Sequence, residues 1–345
     1  MATRLKNSSI AFSLFIYSIL LSLLLIYWVD NSILLSLYST HLLISVIVIG
    51  MYRYSMIDSD EKYNHQMGDW KEKGITSFAI DFEGEFNLHI YGEHLCLIQL
   101  FDGSNYFLID PFKVSMDLLI PFFTDTSLEK IMFDASSDAS LLYKQYGIEM
   151  KGVYDVALAA SLIGFTGNYS ALVALVMNNE ASSGKKGFQK ANWLTRPISP
   201  QLIEYALKDV EYLFSIKEYL AKEINLLEKG EEDVEIQKGA ARVKKFITPG
   251  WKKLPGFRKM NKREIIYLKW LFESRDMLAK EHNLPAYRVL DKRLLVELAK
   301  NPPANYQQLA KKVSHPHRKM EEALLSLLMV GLEGARKEIE ENVVK

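Results

Sequence analysis

The pattern of apolar and polar residues changes in kind along the chain. Ile10 to Val29 runs without a charged side chain, and a second uncharged run extends from Asn31 to Tyr52, with Asp30 between them. At 1.5 Å rise per residue, each run is about long enough to cross a hydrocarbon layer of roughly 30 Å as a helix. The pattern therefore predicts a transmembrane helical hairpin over residues 1–57, turning at Asp30-Asn31. Arg4 and Lys6 before it and Arg53 after it place both ends in the cytoplasm, with the remainder tethered to the inner membrane. Two other readings of these residues stay open. They are a soluble helical hairpin, or a true start at Met51 or Met56 that leaves a soluble cytoplasmic protein.

From Asp58 the pattern is that of a globular protein. Ile75–Ile80, Leu95–Leu100 and Tyr106–Ile109 are short apolar runs separated by Tyr91-Gly92-Glu93 and Asp102-Gly103-Ser104, and they predict successive antiparallel strands. Helical spacing follows over Met116–Phe123 and Ala135–Tyr146, with Gly147 as a stop. Ile131–Phe133 and Val153–Asp155 read as further short strands and Ala157–Ile163 as a helix. A meander followed by alternating helices and strands implies a mixed α/β sheet with helices packed on it, over residues 58–228.

Asn178 to Arg196 is a polar loop, after which Ser199-Pro200 caps a helix from Gln201 to about Leu227. Residues 229–262 read as a linker, because Lys238 to Arg263 holds ten basic residues, no acidic one, and the breaks Pro249-Gly250 and Pro255-Gly256. Beyond it, Glu264–Glu281, Lys292–Lys300, Tyr306–Val313 and Lys319–Leu332 are amphipathic helices of an all-α bundle over 263–345.

Composition narrows little further. Lys plus Arg equals Asp plus Glu at 42 each, so a polyanionic partner must be met by local charge. Cys96 is the only cysteine, which excludes an internal disulfide. No glycine-rich phosphate loop and no internal repeat is present.

The chemistry lies in the acidic residues. In "ITSFAIDFEGEFNLHI", Asp81 and Glu83 are two apart in a strand, so both project from one face and can converge on one cation. "KIMFDASSDASLL" places Asp138 near the start of the helix after a short strand, and "PQLIEYALKDVEYLF" places Tyr205 and Asp209 one helical turn apart. Each taken alone fits a solvated charge; the ordered set does not.

That set resembles the motifs of 3′–5′ exonucleases with four acidic residues and a tyrosine, and the sequence around it is similar to the ribonuclease D family. The likeness covers about residues 69 to 226, including "LCLIQLFDG", "FLIDP", "VYDVALAASLIG" and "KGFQKANWLTRPISPQLIEYALKDVEYL". The segment "RDMLAKEHNLPAYRVLDKRLLVELAKNPP" is similar to the helicase-and-RNaseD C-terminal (HRDC) domain. The resemblance implies a ribonuclease H-like fold and two divalent cations, Mg²⁺ or Mn²⁺, held by Asp81, Glu83, Asp138 and Asp209. Asp81 is then the bridging ligand, and Tyr205 orients the attacking water. It further implies an exoribonuclease, expected to be a monomer, acting on single-stranded RNA 3′ ends, transfer-RNA precursors among them; the same chemistry on single-stranded DNA, and a catalytically weak membrane-held RNA-binding scaffold, stay open as alternatives. Phe133 stands where the family often has His, and Phe82 where Thr is commoner; neither is an expected ligand.

For gripping a single strand, Lys186, Gln189, Lys190, Trp193 and Arg196 just before the Tyr205 helix are the candidates. The basic linker is the stronger electrostatic signal, with anionic lipid as a rival target to RNA.

Overall fold

A computed structural model describes residues 46–49, 52–178, 188–243 and 248–343. The strands are β1 (Val46–Ile49), β2 (Tyr52–Ile57), β3 (Ser77–Phe86), β4 (Glu93–Phe101), β5 (Tyr106–Ile109), β6 (Glu129–Met132) and β7 (Val153–Asp155). They form a sheet in the order β1-β2-β5-β4-β3-β6-β7. β3, β4 and β5 are the antiparallel meander, whereas β6 and β7 add in parallel on one side and β2 adds in parallel to β5 on the other. This is the mixed sheet the sequence implies.

The helices of the same half are α1 (Asp60–Glu72), α2 (Met116–Thr124), α3 (Ser136–Tyr146), α4 (Val156–Leu162), α5 (Tyr169–Met177), α6 (Pro200–Glu211), α7 (Leu213–Leu226) and α8 (Gly230–Gln237). Alternation along β3 divides them between two faces. Phe78, Ile80 and Phe82 join a core with Trp70 of α1, Phe122 and Phe123 of α2 and Leu141 and Leu142 of α3. The opposite face receives Ala79 with α4, α5 and α7, while Leu97 and Leu108 meet Ala206 and Leu207 of α6.

The C-terminal half comprises α9 (Lys262–Glu281), α10 (Ala286–Val289), α11 (Lys292–Lys300), α12 (Tyr306–Ala310) and α13 (Arg318–Val343). A capping box starts α9: Asn261 accepts from the Glu264 N–H at 2.9 Å and Glu264 accepts from the Asn261 N–H at 2.9 Å. Leu268, Leu271, Leu298, Leu324 and Leu328 form its core.

Several expectations change. The predicted hairpin lies largely outside the described residues, but its second run ends in strand: Val46–Ile49 pairs with Tyr52–Ile57. Among the described residues no helix is long and apolar enough to cross a membrane. A short apolar run cannot by itself distinguish helix from strand; here β5 supplies a parallel partner for β2. The helix from Gln201 is two helices separated at Tyr212. The linker begins later than its charge implies, because Gly230–Gln237 is helical and covers the open edge of β7. Gln237 exchanges hydrogen bonds with the Asp155 backbone at 2.8 and 3.1 Å, and Tyr154 donates to Asp233 at 3.1 Å. Its other end belongs to the bundle, where Trp251, Leu254 and Phe257 pack on the helical core.

Candidate active site

β3 is the element that positions the acids. Asp81 and Glu83 share the face with Ala79, opposite Phe82, whose ring packs edge-on against Phe123 at 5.6 Å. Immediately after Glu83 the ladder with β4 shifts register, so that Glu83 pairs with Leu97 and Gly84 with Leu95, leaving Cys96 as the extra residue of a bulge. Gly84 leaves room there, since a Cβ would lie 2.9 Å from the Leu141 side-chain tip and from the Phe86 ring, which would have to shift.

α6 brings the third acid. Ser199 caps the helix by accepting from the Leu202 N–H, Pro200 occupies its first turn, and Ile203, Ala206, Leu207 and Val210 form the buried stripe. Asp209 and Tyr205 flank that stripe one turn apart, and the Tyr205 hydroxyl donates to the Asp209 carboxylate. Carboxylate oxygens of Asp81, Glu83 and Asp209 all lie within 4.8 Å of one another.

Asp138 stands beside this trio rather than within it. It is close enough that its charge pushes Asp81 and Glu83 up. The turn that presents it is held by Asp155, which accepts from the N–H groups of Asp134, Ala135 and Ala157 at 3.0, 2.9 and 2.9 Å. Asp134 sits there at φ 52°, a left-handed conformation that Asp tolerates better than most residues.

The electrostatics follow from this crowding. Burial, then the charges of Asp138, Asp209 and Glu83, raise Asp81 well above the usual carboxylate range. Burial and the charges of Asp209 and Asp138 do the same to Glu83. Burial, then Asp134 and Asp155, push Asp138 up to about 8. Burial pushes Asp209 up to about 7 against the opposing Tyr205 hydrogen bond. Among the described residues, no ion pair with Lys, Arg or His involves any of the four. Clustered, half-buried carboxylates without a cation in the chain are costly. An all-oxygen donor set suits hard divalent cations such as Mg²⁺ or Mn²⁺, so the residues fit such ions.

The candidate substrate residues divide. Trp193 is 1% exposed, and its ring stands 6.3 Å from that of Tyr205, with Phe188 at 5.5 Å on the same tyrosine. It is a core anchor that holds Tyr205, not a base platform. Arg196 is also committed internally: it grips Asp110 bidentately at 2.8 and 3.0 Å and donates to the carbonyls of Trp193 and Cys96 at 2.7 and 2.6 Å. Lys190 is exposed. Lys186 lies outside the described residues, and Gln189 falls in the short 3₁₀ turn Phe188–Lys190.

Sequence reading missed Asp155, Tyr169 and Gln99. The Asp155 signal was available, as an N-cap aspartate at a strand-to-helix junction. Tyr169 meets Phe133 edge-on at 5.6 Å, and burial together with the charges of Asp209 and Asp81 raises it. Thus Phe133 is accommodated by aromatic packing. Gln99 is the lone polar residue in the run "LCLIQL", directly opposite Asp81.

Comparison with known proteins places this geometry. A 3′-5′ exonuclease family model matches residues 54–225 and an HRDC domain model matches 267–324. The chain is 29% identical over 238 residues to ribonuclease D of Xanthomonas oryzae pv. oryzae, covering 64% of this chain and 61% of that relative. The matched region thus spans under two thirds of the relative's length. The catalytic core of RRP6 from Trypanosoma brucei superposes with a TM-score of 0.68 at 20% identity, covering 86% of this chain and 83% of the other. Escherichia coli RNase D superposes with a TM-score of 0.62 at 23% identity, covering 81% and 75%. These superpositions establish the shared fold.

Proposed function

We propose, from the premise that this chain belongs to the ribonuclease D family of 3′–5′ exonucleases with an HRDC domain, that it hydrolyses RNA from the 3′ end. The observation that carries the reading is the convergence of Asp81, Glu83 and Asp209 within 4.8 Å, with Asp138 alongside. Two divalent cations, Mg²⁺ or Mn²⁺, would neutralise charge on the attacking and leaving oxygens. Asp81, Glu83, Asp138 and Asp209 would be the residues that hold them.

The chain's own groups then have distinct tasks. Burial and the charges of Asp209, Glu83 and Asp81 hold the Tyr205 phenol far above neutral pH, so it stays protonated. It therefore orients by hydrogen bonding and does not act as a base. Its hydroxyl is fixed at one end by Asp209 and its ring by Trp193 and Phe188, which suits it to hold the attacking water in line. Phosphodiester cleavage at the terminal linkage releases a nucleoside 5′-monophosphate.

RNA with single-stranded 3′ ends, transfer-RNA precursors included, is the proposed substrate. Exposed Lys190 and the exposed cations Arg242, Lys252, Lys253, Arg258 and Lys259 are the proposed phosphate contacts. The full-length protein, given a 5′-labelled single-stranded RNA and Mg²⁺ or Mn²⁺, is expected to shorten it stepwise from the 3′ end. Asp81→Ala and Asp209→Ala should each stop the reaction, and cleavage persisting in both would overturn the assignment. A DNA oligonucleotide of the same sequence shows whether the sugar is discriminated.

A further inference from the structure

One polar group on the acidic face is explained by neither the cations nor Tyr205. Gln99 lies in the middle of β4, paired across the ladder with Asp81 on one side and Leu108 on the other. Its side chain is 0% exposed. Strand alternation puts it on the face of Leu97 and Phe101, which is also the face of Asp81 and Glu83. Neither its amide nitrogen nor its amide oxygen has a hydrogen-bond partner.

A buried carboxamide left unpaired is costly, and an apolar side chain of the same size would carry no such penalty. Among the described residues, the other buried side-chain atoms without a partner belong to Tyr63, in the core on the other face of the sheet, and to Arg275 in the helical bundle. Gln99 is thus the one such group at the acidic face. Residues directly opposed in an antiparallel ladder bring their Cβ atoms to about 4.5–5.5 Å, a gap that a glutamine side chain spans.

Asp81 has reason to need it. Its carboxylate accepts a backbone hydrogen bond from Phe82. A carboxylate shared between cations must keep a fixed rotation, and ligating carboxylates are commonly hydrogen-bonded in turn by protein donors. We propose that Gln99 is a positioning residue for Asp81: unpaired in this structure, its Nε2–H would turn to donate to the Asp81 carboxylate once divalent cations bind, and so fix the orientation of that carboxylate. The inference rests on the proposed cation-binding role of the acidic cluster.

The test compares full-length wild type with Gln99→Met, Gln99→Leu and Asp81→Asn by Mn²⁺ titration calorimetry, melting without divalent cations, and steady-state kinetics on a single-stranded RNA. Gln99→Met, which keeps the volume, should melt at or above the wild-type temperature yet bind Mn²⁺ about 10- to 100-fold more weakly. Its kcat should fall while KM for RNA stays unchanged, a split that a merely space-filling role does not produce. Gln99→Leu should behave in the same way. Mn²⁺ affinity and kcat within twofold of wild type, in either folded variant, would overturn the proposal whatever the melting temperature does. If wild type takes up no Mn²⁺, or Asp81→Asn binds it as well as wild type, the cation-site reading itself fails and takes the proposal with it. Normal uptake by wild type with unaltered Gln99 variants sinks Gln99 alone.

Discussion

Two stretches of β3 hold carboxylates in opposite settings, buried at its end and half-buried in its middle. At its end, Glu85 is 1% exposed and satisfied within the chain: it accepts from the N–H groups of Leu88 and His89 and from the His89 ring at 2.7 Å. Burial pushes this acid up, but the hydrogen bonds from His89 and Leu88 outweigh it and hold Glu85 below the usual range. In the middle, Asp81 and Glu83 face Asp138 and Asp209, and all four are raised. The same residue type on the same strand therefore has its partners within the chain at one place and lacks them at the other. What separates them is whether the compensating charge or donors come from the chain or from ions supplied by solution.

The largest effect should come from removing an acid of the cluster. Asp81→Asn or Asp209→Asn should lower kcat roughly a thousandfold or more, since several kcal/mol of charge stabilisation are lost and each 1.36 kcal/mol is tenfold. The same variants should melt higher than wild type without divalent cations, because repulsion is relieved. A drop in melting temperature of the kind expected at Glu85 would erase the distinction between the two stretches.

The next effect is on pH and cation dependence. A raised acid binds its proton in the folded state where the unfolded chain has lost it, so stability falls as pH rises through the interval between the two values. With Asp209 raised to about 7 and Asp138 to about 8, the cation-free protein should lose melting temperature between about pH 5 and pH 8. Mg²⁺ should raise the melting temperature more at pH 8.5 than at pH 5.5. Calorimetric scans at both values check this, and an equal gain at the two would count against the unpaired state of the cluster.

Glu85→Gln should cost about 1.5–3 kcal/mol of stability by urea titration, the range for hydrogen bonds to a charged group, with Mn²⁺ affinity unchanged. Smaller still is Tyr91→Phe. Beyond Glu85 the hairpin tip touches the helical domain, where Tyr91 donates to Asp276 at 2.7 Å and Tyr287 of the bundle donates to the Leu88 carbonyl at 3.0 Å. Glu85 accepts three hydrogen bonds and Asp276 only one from Tyr91, so losing the Tyr91 hydroxyl should cost less, about 1.5 kcal/mol at the low end of the same range. If Tyr91→Phe instead abolished RNA cleavage, the end of β3 would belong to the site after all.

How much of this was legible beforehand depends on the range of the interaction. The shared face of Asp81 and Glu83 and the one-turn spacing of Tyr205 and Asp209 follow from local periodicity, and both were read from sequence. Gln99 stands out in the sequence only as a polar residue in an apolar run, because its meaning depends on the cross-strand register with Asp81. Arg196 reads as a phosphate contact because its partner Asp110 lies 86 residues away, whereas Trp193, a candidate that the sequence favours as a core anchor over a base platform, is that anchor. Charge read Gly230–Gln237 as linker, although the edge of β7 needed a cover that no linear pattern announces.

If ions from solution compensate the four acids, titration calorimetry of Mn²⁺ into the protein at pH 8 should show saturable uptake by wild type that disappears in Asp81→Asn and persists in Glu85→Gln. Absent uptake in wild type, or uptake that Asp81→Asn leaves intact, would contradict it.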